Sequence, residues 1–267
     1  MKKFLAGSYL GILLFMLYAP IFIVIVFSFT EAKVLGNWTG FSLKLYKSLF
    51  TGGIHHTLTS ALWNTFLIGI IAAAISTILG TMAAIGIYNM KPRGRRVVQM
   101  VNTVPILNPD IITAISLFLL FVSIGVSQGY TTVILAHITF CTPYVVLSIL
   151  PFLRQMNDNL YEAALDLGAT PFYALRRILL PQLRPGMISG FILAFTLSID
   201  DFVVTLFNIG NEGLETLSTY IYADARKGGL TPELRPLTGI IFVIVLIFLL
   251  VINRRSAQKN LRNDANY

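Results

Sequence analysis

The sequence predicts an all-α membrane protein of six transmembrane helices with both termini in the cytoplasm. Three observations carry that prediction. Hydrophobic residues make up 55% of the 267-residue chain and charged residues 12%, against about 25% charged in a soluble domain. The apolar residues fall into six runs, each long enough to approach the roughly 20 residues that cross a hydrocarbon core. Lys and Arg are divided unequally between alternate connections. One cysteine, Cys141, excludes an internal disulfide and a Cys-based zinc site.

The runs are 4–29, 58–88, 97–124, 130–150, 186–208 and 232–252. The first begins like a secretory signal, but it is too long for a signal core and lacks a small-x-small cleavage site, so it is read as a span. The second exceeds a span and is expected to tilt or to project into water. The last is fully apolar only over 237–252, and Thr231-Pro232-Glu233 offers a cap and a first-turn proline that would start it earlier.

With the amino terminus inside, the inner segments hold fourteen Lys and Arg, including Arg254, Arg255, Lys259 and Arg262 near the C-terminus, and the outer segments hold six. Positive residues favour the cytoplasmic side. The net charge of +8 therefore records topology, and nucleic acid is not a partner.

In outer loop 30–57, "NWTGFSLKLYKSLF" spaces Phe41, Leu45 and Leu49 with Leu43, Tyr46 and Phe50 as a short amphipathic helix. Interfacial packing and partner docking both fit it. "NWT" matches a glycosylation sequon that nothing else in the chain supports. The outer loop 209–231 is glycine-rich.

Residues 151–185 form the one large cytoplasmic loop. Asn157, Asp158 or Asn159 can cap a helix, and Asn159 with Glu162 suits a capping box. The helix "LYEAALDL" stops at Gly168, a residue suited to the left-handed position. Thr170-Pro171 opens a second helix, "FYALRRILL", expected to end at Pro181. Two short helices meeting at a glycine make a knob of fixed shape.

Glu162-Ala163-Ala164, three residues, Gly168, nine residues, Ile178, one residue and Leu180-Pro181 resemble the EAA signature of permease subunits of bacterial ABC importers. The resemblance implies the type I importer permease fold, with residues 1–267 as one membrane domain, 58–252 as its core and 151–185 as the coupling loop. It implies that Glu162, Ala163, Ala164, Gly168, Ile178, Leu180 and Pro181 form the ATPase-coupling element. "NPDIITAISLFLLF", "AHITFCTPYVV" and "FTLSIDDFVV" extend the resemblance to the PotC-type permeases of spermidine/putrescine importers. That family implies a homologous PotB-type permease, two PotA-type ATPases, an extracytoplasmic polyamine-binding protein and a polyamine substrate. The chain has no G-x-x-x-x-G-K-[ST] phosphate loop. It is therefore expected to bind no cofactor of its own, with ATP and Mg on the partner ATPase, and not to be an enzyme.

With the polar start of the last run (232–236) set aside, Asp110, Asp200 and Asp201 are the only carboxylates inside the runs, which then contain no Lys or Arg to pair with them. Each would cost about 2.5–3.5 kcal/mol at a bilayer centre, so they are expected to face water, a partner or a cation in transit. Asp110 lies 14 residues beyond Arg96 and Asp200 lies 14 beyond Gly186. As straight helices, both runs would set these carboxylates roughly 20 Å from the inner face, like part of a ring lining a cation path. Asp200 and Asp201 would differ by about 100° around one helix. One of the two is then expected to meet the partner permease or to accept a backbone or hydroxyl hydrogen bond. Pro109 in "NPD" frees carbonyls or simply kinks the chain.

His137 reads as a satisfied interhelical histidine and Cys141 as packing. His55 and His56 have no visible partner, and Phe202, Tyr144 and Trp63 are candidates for cation–π contacts. A proton-coupled transporter, an intramembrane enzyme and an ABC permease for another cation or ferric iron are the rival readings. The enzyme is disfavoured because H-E-x-x-H and G-x-S-x-G are missing.

Overall fold

The computed structural model describes residues 2–32, 36–50, 56–156, 159–211, 213–227, 231–244 and 246–247. Regular structure among them is entirely helical. It comprises α1 (Lys2–Phe27), α2 (Lys44–Phe50), α3 (His56–Asn89), α4 (Pro92–Leu107), α5 (Asp110–Ser123), α6 (Tyr130–Gln155), α7 (Asn159–Asp166), α8 (Pro171–Ala174), a π-turn (Leu175–Leu179), α9 (Leu180–Asp200), α10 (Val203–Asn208) and α11 (Leu217–Arg226). A further helix, α12, covers Leu234–Ile244. Four helical stretches are long and apolar enough to cross a membrane, or five if α4 and α5 count as one broken span. The sixth run is represented by α12, which starts at Leu234, before the fully apolar part but two residues after the Pro232 start that the Thr-Pro-Glu signal predicts. His55, Asn157, Asp158 and the C-terminal basic residues used for orientation lie outside the described residues.

The chain divides into two compact units, residues 57–220 and the remainder. In the first, α6 is the hub: 61% of its apolar window is buried, against 44% for α3 and 22% for the α8–α9 stretch. Val133, Ala136, Cys141, Val145, Val146, Ile149 and Leu153 are buried along it. Close approach is bought with glycine. A Cβ at Gly80 of α3 would lie 2.7 Å from Val145 Cβ, one at Gly190 of α9 3.0 Å from Val145 Cγ1, and one at Gly186 2.7 Å from Phe152. Missing side chains let three helix backbones meet, the usual solution where lipid supplies no hydrophobic drive. Ser76 donates to the Ile138 carbonyl at 3.2 Å and Cys141 Sγ to the Ala194 carbonyl at 3.4 Å, tying α3 and α9 to α6.

Two expected straight spans are broken. Run 97–124 is α4 and α5, bent by 104°. Pro109 pushes Asn108 out of the helical region, to ψ 143, and α5 starts afresh at Asp110. Run 186–208 ends as a helix at Asp200; Asp201 is extended (φ −65°, ψ 133°), and α10 begins at Val203. The Gly186–Asp200 stretch behind the Asp200 depth is unbroken within α9, but the path from Arg96 to Asp110 crosses the bend and Asp201 is extended, so the common level of the two aspartates and the 100° argument do not hold.

A third correction concerns Pro181, which does not end the second loop helix. The π-turn moves the ladder to i→i−5, with Leu180 N–H donating to the Leu175 carbonyl. Pro181 follows at the start of α9, and Pro171–Asp200 is one 30-residue stretch. A wider turn accommodates the missing N–H where a regular helix would kink.

In the other unit, α1 buries none of its apolar window, so lipid or another subunit must cover it. Its outer end is closed by the expected amphipathic segment. Phe29 stacks on Phe41 and Tyr46 at 5.7 and 5.1 Å, Tyr46 Oη lies 2.7 Å from Ser28 Oγ, and Leu45 is buried. Glu31 accepts from Ser42 (2.6 Å) and Lys44 (3.3 Å); these two bonds hold its carboxyl below the usual carboxylate range. The fully buried Arg235 donates to the Ala32 carbonyl at 2.7 Å. Thr231 turns its hydroxyl and N–H to Asp224 rather than capping α12.

Replacing Gly80 by Ala is expected to destabilise the fold by about 1–3 kcal/mol, the usual cost of overpacking. Gly190→Ala should cost less, and Val145→Ala should relieve it, because that clash is with Cγ1 alone. Val145→Ala should not relieve Gly80→Ala, whose clash includes Val145 Cβ. Thermal unfolding midpoints in detergent distinguish the two patterns.

Candidate functional site: aspartates at two helix breaks and a glycine turn

Each exposed span aspartate sits at a break. Asp110 is the first residue of α5, where the helix dipole favours a carboxylate. Asp200 is the last residue of α9, at the negative end of its helix. Both are exposed. Neither accepts a hydrogen bond or pairs with a cation among the described residues. Tyr144 of α6, half-buried, lies within electrostatic range of Asp110.

Asp201 is the opposite case. Its side chain is 4% exposed. Oδ1 accepts from Val204 N–H at 3.1 Å, and Oδ2 accepts from Thr205 N–H and Thr205 Oγ1, both at 2.8 Å. These bonds satisfy the free N–H groups that open α10. Of the two adjacent aspartates, one therefore caps the helix after the break and the other ends the helix before it. The expectation that one of the pair accepts backbone and hydroxyl hydrogen bonds is met by Asp201.

His137 of α6, with its side chain 2% exposed, completes this cluster. Nδ1 lies 2.6 Å from Ser198 Oγ, and Nε2 lies 2.9 Å from Thr205 Oγ1 and 3.4 Å from Asp201 Oδ2. His137 is interhelical and satisfied, as expected. Its carboxylate neighbour went unseen because it belongs to another span, 64 positions away in sequence, where helical spacing carries no signal. Cys141 is buried, as packing requires. Trp63 is exposed on α3.

The turn at Gly168 follows its local signals closely. Gly168 has φ +85°, and Ala169 N–H donates to the Ala164 carbonyl while Gly168 N–H donates to the Leu165 carbonyl. Together these bonds make a Schellman cap. Thr170 Oγ1 accepts from Tyr173 N–H at 3.3 Å, and Pro171 occupies the first turn. Ala164, Gly168 and Ile178 line one open depression with Leu167, Thr170 and Tyr173. Leu167 is 90% and Phe172 70% exposed. Glu162 and Ala163 are exposed. Glu162 faces a separate cavity of about 440 Å³ that Tyr88, Arg95 and Tyr161 also line. Leu180 and Pro181 are half-buried at the root of α9. Within the motif, Ala164, Gly168 and Ile178 come together, and Glu162 and Leu180-Pro181 stand apart.

Residues 76–262 match the family model described as "Binding-protein-dependent transport system inner membrane component". The spermidine/putrescine transport system permease protein PotC of Haemophilus influenzae is 36% identical over 97% of this chain and 98% of its own length. PotC of Escherichia coli K12 is 35% identical over 93% and 92%. The putrescine transport system permease protein PotI of the same organism is 37% identical over 84% and 81%. Among solved structures, a chain of a bacterial ABC transporter that imports alginate aligns with TM-score 0.69 at 14% identity, covering 96% of this chain and 95% of that one. A chain of the methionine transporter MetNI aligns at 0.58 and 18%, covering 74% and 93%. These likenesses show the fold: a multi-pass type I importer permease.

Gly168 tests the turn directly. A Cβ there meets open space, so Gly168→Ala costs only the left-handed backbone, about 1–2 kcal/mol. Hydrogen exchange at Gly168 and Ala169 N–H is expected to accelerate in Gly168→Ala and much less in Gly168→Asn, which tolerates that conformation. Equal protection in all three proteins would contradict the assigned cap.

Proposed function

The chain belongs to the family of inner-membrane components of binding-protein-dependent transport systems, and from that premise we propose that it is the permease subunit of an ATP-driven importer of polyamines such as spermidine and putrescine. The observation that carries the substrate class is Asp200, an exposed carboxylate at a helix C-terminus with no cation or donor of its own among the described residues. Carboxylate and terminal carbonyls add their negative potential there. An ammonium group satisfies both, and Asp110 at the other break supplies a second anionic stop. The PotC and PotI names of its relatives support the same substrate.

In this reading a homologous permease completes the pathway, and an extracytoplasmic binding protein delivers the polyamine. Of the two ATPase subunits, one docks on the turn around Gly168, where exposed Leu167, Phe172 and Tyr173 provide apolar contact and Glu162 a charge. ATP and Mg belong to those subunits. The carboxylates hold the cation only in passage, because a site that binds too tightly stops conduction. Asp201 serves the fold and not the cargo.

Radiolabelled spermidine uptake by the complete complex in proteoliposomes tests this. Asp110→Asn and Asp200→Asn are expected to lower uptake at subsaturating polyamine by about tenfold, equivalent to about 1.4 kcal/mol each, with assembly intact. Asp201→Asn is expected to lower the yield of folded complex. Wild-type uptake in both pathway variants would remove the physical support for a cationic cargo.

A further inference from the structure

One imidazole bonds both sides of the break in the fifth span. Ser198, on its Nδ1, is two residues before the end of α9; Thr205, on its Nε2, is in α10. Neither helix continues into the other, since Asp201 is extended between them. The backbone alone therefore leaves the angle between α9 and α10 free to change about the Asp201 and Phe202 torsions. Ser198, Thr205 and Asn208 are all buried, and Asn208 Nδ2 additionally donates to the Ala114 carbonyl of α5 at 3.4 Å. The polar groups around the break thus hold it to neighbouring helices, and His137 lies within hydrogen-bond distance of both halves.

We propose that His137 is a positioning residue: a staple across the break that fixes the direction in which Asp200 is presented. Thr205 Oγ1 donates to Asp201 Oδ2 at 2.8 Å, so it accepts from Nε2–H, and Nδ1 shares the other hydrogen bond with the Ser198 hydroxyl at 2.6 Å. Both ring nitrogens are used, and the ring cannot rotate without losing one side. The α6 hub thereby sets the geometry of a carboxylate that it does not itself touch. The consequence for transport rests on reading Asp200 as a cation-path residue, but the geometric proposal does not.

The test reports position 200 directly. In the complete complex carrying Cys141→Ser, Asp200→Cys is reacted with a trimethylammonium methanethiosulfonate reagent, with Ser189→Cys as the control on the same helix. Ser198→Ala, Thr205→Val and His137→Leu are each expected to change the reaction rate at position 200 by about threefold or more, the scale of coupled neighbours. Position 189 should be unaffected, and Thr205→Ser should restore the rate. The Ser198→Ala/Thr205→Val double variant should add nothing to His137→Leu. An unchanged rate at position 200 in both single hydroxyl variants overturns the staple and leaves His137 a packing residue; those two variants keep the test decisive should His137→Leu fail to assemble. If the rates shift but Asp200→Asn imports spermidine normally, the staple stands and the polyamine path through Asp200 fails.

Discussion

The end of α9 at Asp200 is the constraint from which the functional geometry follows. A helix that stops inside a membrane leaves carbonyls without partners, and one that starts there leaves N–H groups without partners. This chain answers the second need with Asp201 and part of the first with Ser218, whose hydroxyl donates to the Asp201 carbonyl at 2.7 Å, while the Asp200 carboxylate itself pairs with no cation among the described residues. Two neighbouring residues of the same type therefore have opposite electrostatic fates. The capping carboxylate is buried among Val204, Thr205 and His137. The other is left exposed at the negative end of a dipole. An exposed carboxylate at a helix break is a physical invitation to a cation, and in the proposed role that cation is cargo.

Packing around α6 supports this arrangement. Glycines at 80, 186 and 190 remove the side chains that would hold α3 and α9 away, and the close approach lets short polar groups reach across. His137 can bridge Ser198 and Thr205 because both helices lie within hydrogen-bond distance of α6. Small residues and buried polar contacts are thus one device.

The same α9 connects the break to the turn at Gly168. Pro171–Asp200 is a single helical stretch about 45 Å long at 1.5 Å per residue. The π-turn before Pro181 keeps it continuous. In the proposed role, the element that meets the ATPase and the element that ends at the cation site are two ends of one rod. A displacement at Gly168 then reaches Asp200 without passing through a loop.

The sequence by itself determined what depends on near neighbours. Composition and run length established a membrane-spanning helical protein, because desolvating a backbone leaves few alternatives to helices. Gly168, Thr170 and Pro171 announced the cap and the helix start, since each acts within four residues of its own position. The spacing from Glu162 to Pro181 announced the family. Only the tertiary structure decided where the spans break and which aspartate is occupied. Pro109 was visible, but a proline can kink a helix or end it, and the 104° bend depends on what packs around it. Pro181 was misread for the same reason, because a π-turn rescues the helix. His137 and Asp201 meet through the packing of separate spans, and no helical period relates them. Contacts of that kind are set by three-dimensional approach, which here turns on three missing side chains beside Val145 and Phe152.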